Sequence, residues 1–411
     1  MNNQSGRILN GIDNFIACRA DYAPYKKIGL VSNSRAVTAD FKINLHALLE
    51  AGFDVRYIFS PEHGYFANVR DGDYIDDGAH PDLNIPILSL FTEGHSRNAV
   101  AEAIAADPVD AVIFDIQDVG VRFYTYIHAL GIAMAASESS KTPIVVLDRV
   151  NPAGCGIIEG NIPFPEYISE LCPFDIPVRY GLTIGELANY LSQTVFTGAR
   201  LTVVKISESY RRDMIFQRTG LKWNAPSPAM ISSDTALFYP GTCLFEGTNL
   251  SEGRGTAAPF QIIGAPFFRP EETAAAFYAA LGSLEIKDFE NILVEPIEFI
   301  PSSSKHENVS CRGLRVSFKN GVPQDFRALL FGALLLKAAC DVNRENIKFL
   351  FSEKSRRFFI DRLCGAPALR ETIIGGDFFQ LYSLYEKWAE ACASFSRVSA
   401  SSRLYRTGAG S

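Results

Sequence analysis

The chain reads as an α/β protein, with a parallel sheet covered on both faces by helices in its first half and a smaller α+β part after it. Three observations predict this. Val/Ile/Leu runs recur through the first half without apolar–polar alternation, the pattern of strands buried on both faces. Helix-like segments fall between them, as crossover connections require. A Pro- and Ser-rich stretch, "WNAPSPAMISSD" (Trp223–Asp234), then breaks the pattern and is the best candidate linker.

"KKIGLVSN" (Lys26–Asn33) is a buried strand, and "DFKINLHALLEAG" (Asp40–Gly52) a helix with an Asp start and a Gly stop. Strands follow at Phe53–Phe59 and Ile85–Phe91, then a helix around Ala99–Ala106. "VDAVIFDIQD" (Val109–Asp118) is a strand, with a helix near His128–Ser137 after it. "TPIVVLDRVNP" (Thr142–Pro152) and "LTVVKIS" (Leu201–Ser207) close the series. Between them "LTIGELANYL" (Leu182–Leu191) sets Thr183 three residues before Glu186, a capping box, so Glu186 is read as a helix cap. Past the linker come a Gly-rich segment and a helix opened by Pro270 with Glu271 and Glu272 in its first turn. A strand (Gly313–Phe318) and a buried helix (Phe326–Cys340) follow; the latter carries Arg327 and Lys337 and is too short to span a bilayer.

Composition narrows the function. With 47% hydrophobic and 21% charged residues in 411, the chain is an ordinary globular protein long enough for two or three domains. A net charge of -7 gives no electrostatic case for nucleic acid and suits a neutral or weakly charged small ligand. Eight scattered cysteines without a CxxC pair argue against a structural zinc and against a disulfide framework. The six histidines show no HxxxH or HExxH spacing, so no metal and no cofactor is expected. "MNNQSGRILNGIDNF" lacks a basic n-region and an apolar h-region, so the expectation is a cytoplasmic protein without membrane attachment, or one whose leader was removed.

Unusual polar residues gather at the ends of the strands, where open parallel sheets bind ligands. Asn33 follows the first strand, and Glu62 and His63 follow the second in "SPEHGYF". Asp115, Gln117 and Asp118 end the third, with Arg122, Tyr124 and Tyr126 after them, and Asp148, Arg149 and Asn151 end the fourth. Four exits on one rim predict a polar pocket with aromatic walls. Glu62, between Pro61 and the His63–Gly64 pair, is read either as a general acid or base or as a carboxylate that caps a helix or pairs with an arginine such as Arg122. The segment "YPGTCLFEGTNLSEGRGTAAPFQIIGAP" (Tyr239–Pro266) has glycines that let Glu246, Asn249, Glu252 and Arg254 approach a ligand, or else is a packing loop held by buried ion pairs. It is neither a Walker loop nor a GxGxxG turn. "DGDYIDDGAHPD" (Asp71–Asp82) lacks the Gly and Glu of a calcium loop and is read as a solvated acidic loop.

Together "SPEHGYF", "FDIQDVGVRFYTYI", "VVLDRVNPAG" with "EGNIP", "IPVRYGLTIGELA" and "YPGTCLFEGTNLSEGRGT" resemble the NamZ-like exo-β-N-acetylmuramidases. The resemblance runs from about Ile28 to Pro266 and, more faintly, to "SFSRVSASSRLYR" (Ser394–Arg406). It implies a Rossmann-like N-terminal domain (1–230) and a smaller C-terminal domain (231–411), with the site between them. It also implies removal of N-acetylmuramic acid from the non-reducing ends of peptidoglycan fragments, so the partner is a small carbohydrate. By the same resemblance Glu62 is the catalytic glutamate, and Glu246 to Arg254 supply substrate contacts. Cleaving a glycosidic bond normally needs an acid plus a second carboxylate or a substrate acetamido group. The expectations are Glu62 as acid/base, His63 orienting it, and Asp115 or Glu252 as the second carboxylate. Arg122, Arg149, Arg179 or Arg254 would meet the lactyl carboxylate, and Tyr124 and Tyr126 a sugar face. Tyr65, Phe66 and Ala67 stand where the family commonly has an Arg-Gly pair, and His128 where a small polar residue is common. A sugar-binding protein that kept the cleft without turnover is the alternative. The sequence sets neither the oligomeric state nor the anomeric outcome.

Overall fold

The computed structural model describes residues 6–92, 98–323 and 325–408; the readings of the first five residues and of His95 lie outside them. The first half is built on strands β1 (Lys27–Val31), β2 (Asp54–Ser60), β3 (Gly78–Ala79), β4 (Pro86–Ser89), β5 (Ala111–Phe114), β6 (Ile144–Leu147) and β7 (Leu201–Val204). They form one sheet in the order β3-β4-β2-β1-β5-β6-β7. All neighbours are parallel except β3, a two-residue edge strand antiparallel to β4. Leaving β3 aside, the six parallel strands run 3-2-1-4-5-6 in chain order, the doubly wound arrangement. β1, β5 and β6 are buried along nearly their whole length, which is why their sequences are apolar without alternation.

Helices α1 (Gly11–Ala17), α2 (Asn44–Glu50), α3 (Ala99–Ala106), α4 (Tyr126–Ser140) and α5 (Ile184–Thr194) cover the sheet. α1 carries no strong periodic signal, and the sequence reading passed over it. α2 starts at Asn44 rather than Asp40, because residues 40–43 form a turn in which Phe41 takes φ 70°. Thr183 accepts from the Glu186 N–H and Glu186 bonds back to the Thr183 N–H, the reciprocal cap expected.

The candidate linker is ordered. Trp223 Nε1 donates to the Met230 carbonyl at 2.9 Å, and α6 (Ser233–Thr242) begins within the stretch, capped by Ser232. A three-stranded antiparallel sheet follows, in the order β8 (Ile262–Ala265), β10 (Cys311–Phe318), β9 (Ile292–Phe299). α7 (Pro270–Ser283) packs on it, and the apolar α8 (Ala328–Val342) packs against α7. α6 and α8 cross with backbones in contact: a Cβ on Gly241 would lie 1.9 Å from the Ala328 carbonyl oxygen, so glycine is required there. A short hairpin, β11 (Phe351–Ser352) and β12 (Arg357–Phe358), leads into α9 (Phe359–Cys364), α10 (Ala368–Gly375) and α11 (Phe378–Val398).

The chain then returns to the first half. Leu404 N–H donates to Glu186 at 2.9 Å, Arg212 N–H to the Arg406 carbonyl at 3.0 Å, and Tyr405 bonds Asp148 at 2.5 Å. One buried apolar cluster runs continuously from the sheet through α4 to α8 and α11. The halves therefore share a core, and the surface cleft between them has fixed walls.

Candidate active site

β2 ends at Ser60 and Pro61–Gly64 turn at once, the Gly64 N–H donating to the Pro61 carbonyl at 3.0 Å. His63 takes φ 70° and Gly64 φ 76°. A left-handed histidine is unfavourable by roughly 1 kcal/mol, and such strain concentrates at functional sites. The ring secures it: Nδ1 lies 3.0 Å from the Val69 carbonyl, and the His63 carbonyl accepts from Asn68 and Val69. His63 therefore holds the turn that carries Glu62.

Glu62 faces a cleft of about 330 Å³ with walls from both halves. Its Oε1 accepts the Gly72 N–H at 2.9 Å and its Oε2 the Thr125 hydroxyl at 2.6 Å. No ion pair to Glu62 occurs among the described residues. Thr125 is the N-cap residue of α4, yet its side chain does not cap the helix; it is committed to Glu62. Because a hydroxyl both donates and accepts, this contact survives protonation of the carboxylate.

Opposite stands the Glu/Gly-rich segment. A 3-10 turn, Cys243–Gly247, brings Glu246 to the cleft wall, and Arg254 reaches across. Arg254 lies 2.5 Å from Glu246, 3.0 Å from Asp71 and 3.2 Å from Glu252. Burial pushes the Glu246 carboxyl above the usual range, and Arg254 pulls it back. Lys305 pairs with Glu252 at 2.9 Å and donates to the carbonyls of Phe245, Glu246 and Leu250, pinning the segment from behind. Phe123, Tyr124, Tyr239 and Phe260 form an aromatic wall, with Tyr239 ring centroids 4.7 Å from Phe260 and 5.9 Å from Tyr124.

Of the residues expected from the sequence, Glu62, His63, Tyr124, Glu246 and Arg254 line this cleft. The expected rim is otherwise corrected: its carboxylates and amides lie beneath the surface and are engaged by protein, although Asp118 Oδ1 is buried without a partner among the described residues. Asp115 is fully buried, bidentate to Arg149 at 2.7 and 2.9 Å, with Asn44 donating at 2.8 Å. It does not line the cleft and is not available as a second carboxylate there. Asp148 accepts from two backbone N–H groups and from the Thr183 and Tyr405 hydroxyls, and burial raises its carboxyl to about 7. Asp118 takes the Tyr180 hydroxyl and the Gly120 N–H, and burial raises it to about 6. Gln117 and Asn151 bond backbone carbonyls, while Asn33 and Tyr126 both donate to the Pro226 carbonyl, holding the ordered stretch in place.

The arginines are corrected too. Arg122, with no exposed surface, donates to the carbonyls of Asn161, Ile176, Leu363 and Cys364, tying α9 to the first half. Arg179 pairs with Glu159 at 3.2 Å and donates to the Phe326 carbonyl. Glu252, 1% exposed and held by two cations, sits behind Glu246. Asn249 pins the segment to Asn346 and Lys348.

Several lining residues escaped sequence reasoning: Asp71 and Gly72 from the acidic loop, Thr125, Ser227 from the stretch taken as a linker, Tyr239, and the Glu170–Arg362 pair. The acidic loop is not simply solvated, since Gly72 and Asp71 hold Glu62 and Arg254. Tyr239 opens a motif already singled out and was findable. Glu170 and Arg362 are 192 residues apart, with no local pattern to join them. Among the described residues no group of three metal-ligating side chains assembles, and no helix is long and apolar enough to cross a membrane. All eight cysteines are unpaired, seven of them buried.

Comparison with known proteins matches this architecture along the chain. Residues 28–234 match the family described as exo-beta-N-acetylmuramidase NamZ, N-terminal, and residues 237–405 its C-terminal counterpart. Peptidoglycan beta-N-acetylmuramidase NamZ of Bacillus subtilis (strain 168) is 34% identical over 383 residues, 93% of this chain and 88% of that protein. Two DUF1343 family proteins of Bacteroides fragilis, known from crystal structures, superpose with TM-scores of 0.83 and 0.71 at 26% identity. Both alignments cover 98% of this chain, and 100% and 99% of theirs. The chain belongs to the exo-β-N-acetylmuramidase NamZ family, and so to the glycosidases.

Proposed function

We propose that this protein removes N-acetylmuramic acid from the non-reducing end of peptidoglycan fragments, with Glu62 as the general acid and base. The observation that carries this reading is the situation of Glu62: a carboxylate on the cleft wall, oriented by two donors and bound by no cation among the described residues. A proton-transfer group needs a fixed position and a free approach to the leaving oxygen, and a competing ion pair would block both.

The cleft suits one amino sugar. Its volume lies at the low end of the roughly 300–1,000 Å³ common for ligand sites, and one wall is aromatic, as a sugar face requires. Glu62 protonates the glycosidic oxygen as the bond to the anomeric carbon lengthens. The positive charge that develops there is balanced by the substrate's acetamido oxygen or by Glu246, the carboxylate on the facing wall. Glu62, by then ionised, accepts a proton from the incoming water. Arg254 keeps Glu246 in place from behind.

Glu62→Gln keeps both hydrogen-bond positions occupied and removes the proton. Turnover of a chromogenic β-glycoside of N-acetylmuramic acid is expected to fall about 10²- to 10⁴-fold, with binding of the sugar retained. Turnover within a fewfold of the native protein would refute the role given to Glu62.

A further inference from the structure

The geometry points to Arg362 as the residue that reads the carboxylate of an acidic amino sugar, with Glu170 occupying the same guanidinium until that anion arrives. This inference rests on the glycosidase reading above and names the group that makes the site selective.

The argument starts from charge. Among the described residues four carboxylates line the cleft, those of Glu62, Asp71, Glu170 and Glu246. A substrate bearing its own carboxylate is repelled by such a wall unless a cation meets it. Two arginines line the cleft among the described residues, Arg254 and Arg362. Arg254 is spoken for: Glu246, Asp71 and Glu252 surround it and it is 12% exposed. Drawing it toward a ligand would strand Glu246, a largely buried carboxylate, which is costly. Arg122, Arg149 and Arg179 are sealed below the surface.

Arg362 is placed differently. It projects from α9 with its side chain 22% exposed, and its one carboxylate partner among the described residues is Glu170, at 2.5 Å from Nη2 to Oε1. Glu170 is 31% exposed and comes from the irregular stretch between β6 and α5. A partly solvated pair of this kind is weak, so one carboxylate can replace another on the guanidinium at little cost. The Phe359 ring, 5.6 Å from the Arg362 guanidinium carbon, also lines the cleft and limits where the head group can go. A planar fork suits bidentate recognition of a carboxylate, which a neutral amino sugar lacks. Glu170 then works as a gate on specificity: a sugar without an acid group does not displace it.

The test uses the full chain and two probes, N-acetylmuramic acid and its methyl ester, with affinities read by calorimetry. The native protein is expected to prefer the acid. Arg362→Met is expected to cost the acid about 10- to 100-fold in affinity and leave the ester little changed, erasing the preference. Glu170→Gln, which frees the guanidinium, is expected to tighten the acid and not the ester; this second variant keeps the test sound should the first one fold poorly. If Arg362→Met retains the native acid-to-ester ratio, or Glu170→Gln weakens the acid, the assignment is wrong. Because binding needs no turnover, a native protein that binds the acid selectively but cleaves no glycoside would defeat the hydrolase reading and leave this one standing.

Discussion

Asp115 and Glu62 follow the two strands that flank β1, and they end in opposite circumstances. Asp115 is closed off from solvent and answered by a bidentate arginine and an amide. Glu62 stands at the cleft, answered by one N–H and one hydroxyl. Both are acids at strand exits of one sheet. The difference teaches that a carboxylate becomes available for proton transfer through what it is denied: a permanent counter-charge on it, and protein packed over it. The paired acids below hold the floor rigid so that the unpaired one above can be aimed.

The comparison breaks most severely through Asp115. Asp115→Ala leaves the Arg149 guanidinium buried without its counter-ion and should destabilise the fold by about 3–5 kcal/mol in urea unfolding. Glu62→Ala should change the same measurement by under about 1 kcal/mol. Similar costs for the two would erase the contrast.

Asp148 sharpens it with a sign. Its folded value of about 7, raised by burial, lies above the roughly 3.9 of an unfolded chain. Between those values the folded protein holds a proton that the unfolded chain has released. The contribution is therefore full below about pH 4 and lost as pH rises through about 7. The proton fits on Oδ2, whose partners are the rotatable hydroxyls of Thr183 and Tyr405, since Oδ1 takes two fixed N–H donors. Asp148→Asn should remove roughly 2–4 kcal/mol of pH-dependent loss across that window, whatever its effect at a single pH. Parallel stability–pH curves for variant and native protein would argue against it.

The smallest expected effect is at the aim of Glu62. Thr125→Val keeps the shape and deletes one hydrogen bond, and should lower kcat about tenfold with KM and melting temperature nearly unchanged. A fall confined to KM would mean that Thr125 serves binding instead.

Much of this architecture was legible. The strands appeared as apolar runs because both faces of the sheet are covered, and Thr183–Glu186 was recognisable as a cap because its partners are three residues apart. The turn at Pro61–Gly64 stood out because an acid, an imidazole and a glycine seldom end a strand without purpose. The error was to treat every strand exit as one surface. Residues 115–118 and 148–151 are roofed by residues 33–45, 180–186, 223–226 and 403–406, and no local pattern foretells that cover.

Local order along the chain determined the elements, their caps and the sheet, because hydrogen-bond rings and side-chain periodicity act over three or four residues. It also placed Glu62 in a turn directly after β2. Only the tertiary structure decided which charges meet: Arg149 with Asp115, Arg254 with Asp71, Arg362 with Glu170. Those pairings depend on distances of a few ångströms between segments up to 192 residues apart, where the Coulomb attraction and the cost of burial are settled together.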